Sequence, residues 1–265
     1  MTRRSWHRLE RAMPWLVAVA FIAIWQLAVS GLKVSSIVLP SPLDTVAALL
    51  TYHKTILRHA MFTLQNTALG FGLAIVLGLV LGVAIGASRL AYAGLYPLLI
   101  GLNSVPKVAI TPILVLWLGI GEPPAIATAC LLSIFPIIVN VATGIATMEP
   151  EMEDLLRSFG ASKLDVLTKV GLPRAMPYFF ASLKISITLA FVGAVLSETI
   201  ASNEGIGYLM LQASTQFRVP LMFAALIVIG LMGVATYLLF AVIERRTTGW
   251  ATRNQHRTEV HQFGN

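Results

Sequence analysis

Charged side chains are concentrated in one segment, residues 149–177, which lies between two long apolar stretches of the sequence. It reads EPEMEDLLRSFGASKLDVLTKVGLPRAMP and holds nine of the chain's 31 charged side chains, five acidic and four basic. A charged residue at the centre of a bilayer costs roughly 2.5 to 3.5 kcal/mol, so we expect this segment to lie in water. Its polar face, its glycine and its terminal Leu-Pro indicate a surface that a soluble partner grips.

Polar residues within or beside apolar runs are the second group of interest, because polar groups inside membranes are expensive and often functional. Lys107, between two prolines, would attract an anionic substrate; a lysine that reaches an interface or holds a backbone carbonyl is the alternative. Glu198 would act in an outer gate or contact an external protein, against the alternative of a solvated helix end. Lys184 is expected to reach the cytoplasmic headgroups.

Three asparagines, Asn66, Asn103 and Asn140, fall within or near predicted spans. They are candidates to line a pathway, although hydrogen bonds between helices alone would explain them. Every histidine lies outside the predicted spans, and Cys130 is the single cysteine. We therefore predict no catalytic residue, no metal site and no intrachain disulfide.

Composition identifies a membrane protein. The mean hydropathy is +0.79 and only 12% of the 265 residues are charged, about half the share in a soluble domain. The net charge of +7 does not indicate nucleic-acid binding, because no basic stripe alternates with aromatic residues. The basic residues gather at the ends and beside apolar runs, which is typical of membrane topology signals.

Six apolar stretches are long enough to cross about 30 Å of hydrocarbon. The sequence thus predicts an all-α polytopic protein with a cytoplasmic N-terminal segment (1–13), a six-span domain (14–247) and a cytoplasmic C-terminal tail (248–265). With both termini on one side, that side carries 13 of the 19 basic residues and the other side four, so we expect both termini and residues 149–177 in the cytoplasm. The predicted spans are 14–32, 63–87, 93–118, 124–147, 178–200 and 219–243.

The links and span interiors carry their own signals. Prolines 40 and 42 and Asp44 predict a short helix along the outer interface before the second span. The second span places Gly70, Gly78, Gly82 and Gly86 four or eight residues apart, which favours close helix packing, within the chain or with a second copy. Pro106 and Pro112 break the third span, either to line a cavity or as a packing kink.

Within residues 149–177 the pattern predicts two short helices that project as a knob. Residues 154–159 form the first, Gly160 permits a sharp bend, and residues 161–170 form the second. Pro173 is expected to end that helix, and Pro177 to open the next span.

The spacing D-L-L-x-x-x-G-x9-V-x-L-P, from Asp154 to Pro173, resembles the EAA loop of ATP-binding-cassette importer permeases, E-A-A-x-x-x-G-x9-I-x-L-P. Aspartate replaces the glutamate and two leucines replace the alanines. The resemblance implies that this coupling loop docks into a groove of an ATPase subunit. The implied coupling residues are Asp154, Leu155, Leu156, Gly160, Ala161, Val170, Leu172 and Pro173.

The resemblance extends over residues 37–247, since LPSPLDTVAALL, SVPKVAITPILVLWLGIG and GIGYLMLQAS are similar to the nitrate, sulfonate and taurine branch of these permeases. It implies a type I importer fold in a bacterial inner membrane, a permease homodimer, two cytoplasmic ATPase subunits and an extracytoplasmic solute-binding protein. The implied substrate is a sulfonate, nitrate, taurine or similar organic anion.

The chain lacks a G-x-x-x-x-G-K-[ST] phosphate loop, so we expect it to be no enzyme and to hold no cofactor, with ATP and magnesium bound by the partner ATPase. An ion-coupled secondary transporter is the main alternative. That class ordinarily has carboxylates deep within its spans and often an inverted repeat, whereas Glu198 lies at the edge of a span. An intramembrane serine protease would need a histidine within a span, and none is present.

Overall fold

The computed structural model describes residues 3–252, and every regular element within them is helical. Residues 253–265 of the predicted tail lie outside the described residues. The elements are α1 Arg3–Gly31, α2 Pro42–Thr51, α3 His53–Gly86, α4 Arg89–Asn103, a 3₁₀ turn Lys107–Ile110, α5 Thr111–Leu118, α6 Glu122–Ala146, α7 Pro150–Ser158, α8 Lys163–Val166, a π-helical turn Leu167–Gly171, α9 Leu172–Ala201, α10 Ile206–Thr215 and α11 Val219–Thr252.

The all-α membrane fold is confirmed. Five helices are long and apolar enough to cross a membrane, and a sixth span results if the bent pair α4 and α5 counts as one. The helices extend beyond the predicted spans at several ends. α1 begins at Arg3 and α9 at Leu172, against predicted starts at residues 14 and 178. α3 begins at His53 rather than at residue 63, and α11 continues to Thr252, beyond the predicted end of the membrane domain at residue 247.

The third span is broken, as its prolines predict. The helix of Arg89–Asn103 and the one of Lys107–Leu118 meet at an angle of 81°. Pro106 has extended backbone angles (φ −67°, ψ 92°) and precedes the 3₁₀ turn that starts with Lys107. The break therefore places Asn103 and Lys107 on either side of a bend.

The core is formed by α3, α6 and α9, and its closest contacts are made by glycines. A Cβ atom built on Gly82 would lie 2.7 Å from Val141 Cβ, and one built on Gly78 would lie 2.8 Å from Ile137 Cβ. Because Val141 and Ile137 belong to α6 of the same chain, the glycine stripe of α3 serves packing within the chain. This answers the question that the sequence left open.

A second apolar cluster joins the first half of α3 to α2, α10 and α11. Ile56, Ile206, Leu209 and Ala224 are buried at its centre. The predicted short helix before the second span is present as α2, and Ser41 and Asp44 form a capping box at its start. This cluster holds α10 against the first half of α3, where Glu198 also lies.

The second half of residues 149–177 differs from the prediction. Pro173 does not end a helix: α8, the π-helical turn and α9 follow one another directly, and Pro173 lies at the start of α9. The amide of Leu172 donates to the carbonyl of Leu167, five residues back. Such local π geometry rearranges backbone hydrogen bonds and allows a proline inside a continuous helix. The loop is therefore one short helix followed by a direct extension of the fifth span.

Candidate functional site: the coupling loop and the polar spans

α7 forms the first half of the loop, and charges set its position. Glu151 and Glu153 occupy its first turn and Arg157 its last, an arrangement that favours the helix dipole. Arg89 Nη2, at the start of α4, donates to Glu153 Oε2 at 3.3 Å. Arg157 lies 3.8 Å from the other oxygen of Glu153. This shared carboxylate links the loop to the third span.

Gly160 makes the bend between α7 and α8, as predicted. Its φ of +86° is in the region that favours glycine, and no heavy atom lies within 4 Å of a Cβ built there. The amide of Gly160 donates to the carbonyl of Arg157 at 2.9 Å, and the amide of Ala161 to that of Leu156 at 3.1 Å. These bonds satisfy carbonyls at the end of α7.

The second half of the loop is capped at its start and anchored at its end. Ser162 and Asp165 form a capping box, and Lys169 Nζ lies 2.6 Å from Asp165 Oδ1. Val166 is buried. A Cβ on Gly171 would lie 3.3 Å from Leu167 and 3.7 Å from Ile145 of α6. A displacement of this half would therefore be passed directly to α9.

Four apolar side chains project from residues 152–164 of this charged segment, and we call them the loop face. Their exposed fractions are far above those of core residues: Met152 40%, Leu155 57%, Phe159 81% and Leu164 68%. A cleft of about 920 Å³ is lined by the loop, by the turn between α3 and α4 and by the end of α6. Exposed apolar side chains among charges are typical of a protein contact surface.

The predicted coupling residues divide into two groups. Asp154, Leu155, Gly160 and Pro173 are exposed, whereas Leu156, Ala161, Val170 and Leu172 are half-buried. The first group is accessible to a partner, and the second holds the loop together. Phe159 was not among the predicted coupling residues, although a large apolar residue directly before the bend glycine was a signal for it.

Glu198 is fully buried, so its interpretation as a solvated helix end is wrong. Its side chain is 0% exposed, because α3 and α10 cover the end of α9. Thr63 Oγ1 donates to Glu198 Oε2 at 2.7 Å, and Asn66 Nδ2 donates to Oε1 at 3.4 Å. Asn66 and Glu198 are thus brought together, by a bond between helices.

The start of α10 is held by the same group of side chains. The amide of Gly205 donates to His59 Nδ1 at 3.1 Å, that of Ile206 to Thr63 Oγ1 at 2.8 Å, and that of Gly207 to Glu198 Oε2 at 3.3 Å. Three consecutive backbone donors at a helix start are therefore satisfied by side chains of α3 and α9. We call this set, His59, Thr63, Asn66 and Glu198, the α10 clasp.

Lys107 and Asn103 form a second polar group, at the bend of the third span. Lys107 Nζ donates to Asn103 Oδ1 at 2.5 Å and to its backbone carbonyl at 3.4 Å. The ammonium also lies 4.8 Å from the centre of the Phe135 ring on α6, within range of a cation–π interaction.

The remaining polar candidates lie apart from both groups. Asn140 donates to the carbonyl of Pro136 within its own helix, at 2.8 Å. Lys184 forms an ion pair of 2.6 Å with Glu244 of α11, so the expectation that it reaches the headgroups is replaced by a contact between helices. Among the described residues, no group of three His, Cys, Asp or Glu side chains is arranged to hold a metal ion.

Known proteins share both the sequence and the fold. Residues 74–249 match the family described as binding-protein-dependent transport system inner membrane component. The chain is 30% identical to the formylaminopyrimidine transport permease of Halalkalibacterium halodurans, over 94% of this chain and 98% of the relative. It is 32% identical to the putative aliphatic sulfonates transport permease of Bacillus subtilis, over 89% and 86%.

A chain from the inward-facing MetNI methionine ABC transporter has a similar fold. Its TM-score is 0.63 at 19% identity, and the match covers 74% of this chain and 97% of that chain. At this identity the likeness concerns the fold alone.

Proposed function

Because the chain belongs to the family of binding-protein-dependent transport system inner membrane components, we propose that it is the permease subunit of an ATP-driven importer for a small solute. The loop face carries this proposal. Phe159, Leu155 and Leu164 are exposed in a charged segment that has no G-x-x-x-x-G-K-[ST] phosphate-binding motif. Their chemistry suits a docking contact with a separate ATPase subunit, which binds ATP and magnesium.

The loop would transmit movement of the ATPase subunits to the spans. α8 and the π-helical turn lead directly into α9, so a push on the loop face moves the helix that packs against α3 and α6. The Arg89–Glu153 hydrogen bond ties the same loop to α4 and hence to the bend of the third span. Closure of an ATPase pair would thereby shift the spans between inward- and outward-open states, and the binding energy of ATP would bias that equilibrium.

The proposed assembly has two copies of this chain in a bacterial inner membrane, with both termini and the loop in the cytoplasm. Two ATPase subunits dock on the loops, and an extracytoplasmic solute-binding protein delivers the substrate. The excess of basic residues on the loop side supports this orientation. Helix faces that remain apolar and exposed, such as Leu116 and Trp117 on α5, suit contact with lipid or with the second copy.

For the substrate we propose a sulfonate, nitrate, taurine or similar organic anion. Relatives in the family carry names that refer to aliphatic sulfonates and to formylaminopyrimidine. An anionic solute fits a chain whose third span presents Lys107 at its bend.

Reconstitution tests the proposal against the secondary transporter. Glu198, a carboxylate buried near the end of the fifth span, is the observation that favours the second candidate. The chain is placed in vesicles with its ATPase and solute-binding protein, and uptake of radiolabelled ethanesulfonate and nitrate is measured. We expect uptake that requires ATP and persists when ion gradients are collapsed. Uptake that follows a proton or sodium gradient without ATP would replace the importer with the secondary transporter.

A further inference from the structure

The two lysines within the spans have different surroundings. Lys184 has a carboxylate partner, Glu244, at 2.6 Å. For Lys107 the described contacts are two oxygens of Asn103 and the face of the Phe135 ring. These groups orient an ammonium, but they carry no formal negative charge. Within the described residues, the charge of Lys107 is therefore solvated by dipoles and not neutralised by a carboxylate.

Lys107 lies at the break of a span, beside other polar side chains. α4 has 15 residues, so at 1.5 Å per residue its axis is about 22 Å long, and Lys107 follows its far end from Arg89. Asn103 and Ser104 are exposed beside it. A lysine, an asparagine and a broken helix at such a depth are tolerated where they line an aqueous cavity or are buried in protein.

We propose that Lys107 and Asn103 form an anion-selecting site in an aqueous cavity at the bend of the third span, and that this site binds the oxyanion group of the transported solute. The inference rests on the proposed importer function and adds the residues that read the substrate's charge. Lys107 supplies the positive charge. Asn103 holds the ammonium through its carbonyl oxygen, which leaves the asparagine's amide N–H₂ as a donor to the same anion. The Phe135 ring contacts the same ammonium through a cation–π interaction.

The local potential is measured with a cysteine reporter in the full chain in membrane vesicles. Ser104 is replaced by cysteine in a Cys130→Ala background, so that the reporter is the only thiol. Labelling rates are compared for an anionic methanethiosulfonate (2-sulfonatoethyl) and a cationic one (trimethylammonioethyl). A unit charge about one helical turn away changes the ratio of the two rates on the order of five- to tenfold. We expect Lys107→Gln to lower the anion-to-cation ratio by this factor and Lys107→Arg to retain it.

A double variant, Lys184→Gln with Glu244→Gln, is the matched control. It removes a span lysine together with its carboxylate partner, and we expect the ratio at the reporter to stay unchanged. We expect excess ethanesulfonate to slow labelling of the protein that has Lys107 but not of the Lys107→Gln variant. Choline, a cation, is expected to slow labelling of neither protein.

Three results would overturn the inference. They are a reporter that neither reagent labels, a ratio that Lys107→Gln leaves unchanged, and labelling that ethanesulfonate does not slow. The labelling needs neither ATPase nor solute-binding protein, so its failure is distinct from a failure of the importer. If uptake requires ATP but Lys107→Gln leaves the labelling ratio at residue 104 unchanged, the proposed function stands and the anion site is refuted.

Discussion

Replacement of Glu198 by alanine should weaken the attachment of α10 to the first half of α3. The carboxylate accepts hydrogen bonds from Thr63, Asn66 and the amide of Gly207, and it is fully buried. In Glu198→Ala, Thr63 retains a bond to the carbonyl of His59 at 3.1 Å. Asn66 Nδ2 and the Gly207 amide lose the acceptor that the structure gives them.

The expected cost follows from those two donors. A buried donor left without a partner costs about 1 to 3 kcal/mol, so two cost about 2 to 6 kcal/mol in the free energy of unfolding. Glu198→Gln keeps the shape and one carbonyl oxygen, and it should cost less than the alanine variant. For a chain of this size, 1 kcal/mol corresponds to roughly 2 to 4 °C, so Glu198→Ala should lower the apparent melting temperature on the order of 10 °C.

The assay is thermal unfolding of the purified protein in mild detergent, followed by intrinsic fluorescence and by loss of the monodisperse peak. Glu204→Ala is the matched control. Glu204 bonds with Arg58 on the surface, and exposed ion pairs contribute about 0 to 1 kcal/mol. If Glu198→Ala melts within the range of Glu204→Ala, the α10 clasp does not hold the fold together and the reasoning is refuted.

Three further predictions concern glycines and the loop. Gly82→Ala places a Cβ 2.7 Å from that of Val141 and should destabilise the protein by about 1 to 3 kcal/mol. Gly72 lies on the same helix, and a Cβ there meets nothing within 4 Å, so Gly72→Ala should stabilise the protein by up to about 1 kcal/mol. Equal melting temperatures for the two variants would contradict the close packing of Gly82 against α6. Gly160 has a φ of +86°, so Gly160→Leu should impair ATPase binding while the chain still inserts into the membrane. Gly160→Asn should retain ATPase binding, because asparagine tolerates this conformation. Normal ATPase binding by the leucine variant would show that docking does not need the bend at residue 160. Ser162→Ala removes a capping box and should lower ATP-driven uptake with little change in melting temperature, and Ser162→Thr should restore the uptake.

Much of the fold follows from local sequence signals. A span needs only enough consecutive apolar residues to cross the hydrocarbon, so the apolar stretches predict the spans, and Pro106 predicts the break in the third one. The predicted start of α3 was ten residues too late. Its first turns contain His53, Lys54 and Arg58, so they do not count as part of an apolar stretch. A helix of 34 residues is about 51 Å long, so its polar turns extend beyond the hydrocarbon.

The site was less predictable, since its parts meet only in the folded chain. Glu198 is bonded to Thr63, 135 residues away in sequence, and no local pattern distinguishes this buried carboxylate from one at a solvated helix end. Pro173 usually signals a helix end, and only the π-helical turn before it allows α9 to continue into the loop. Gly160, by contrast, was predictable, because a bend with positive φ favours glycine wherever it lies.

Co-purification tests the docking of the loop face most directly. The tagged chain is expressed together with its ATPase subunit and isolated in mild detergent, and the recovered ATPase is quantified. Phe159→Glu introduces a charge into the loop face, at a side chain that is 81% exposed. Phe217→Glu introduces one at a phenylalanine that is 71% exposed, between α10 and α11. We predict that the ATPase is lost with Phe159→Glu and retained with Phe217→Glu. Equal recovery with both variants would contradict the coupling role of the loop.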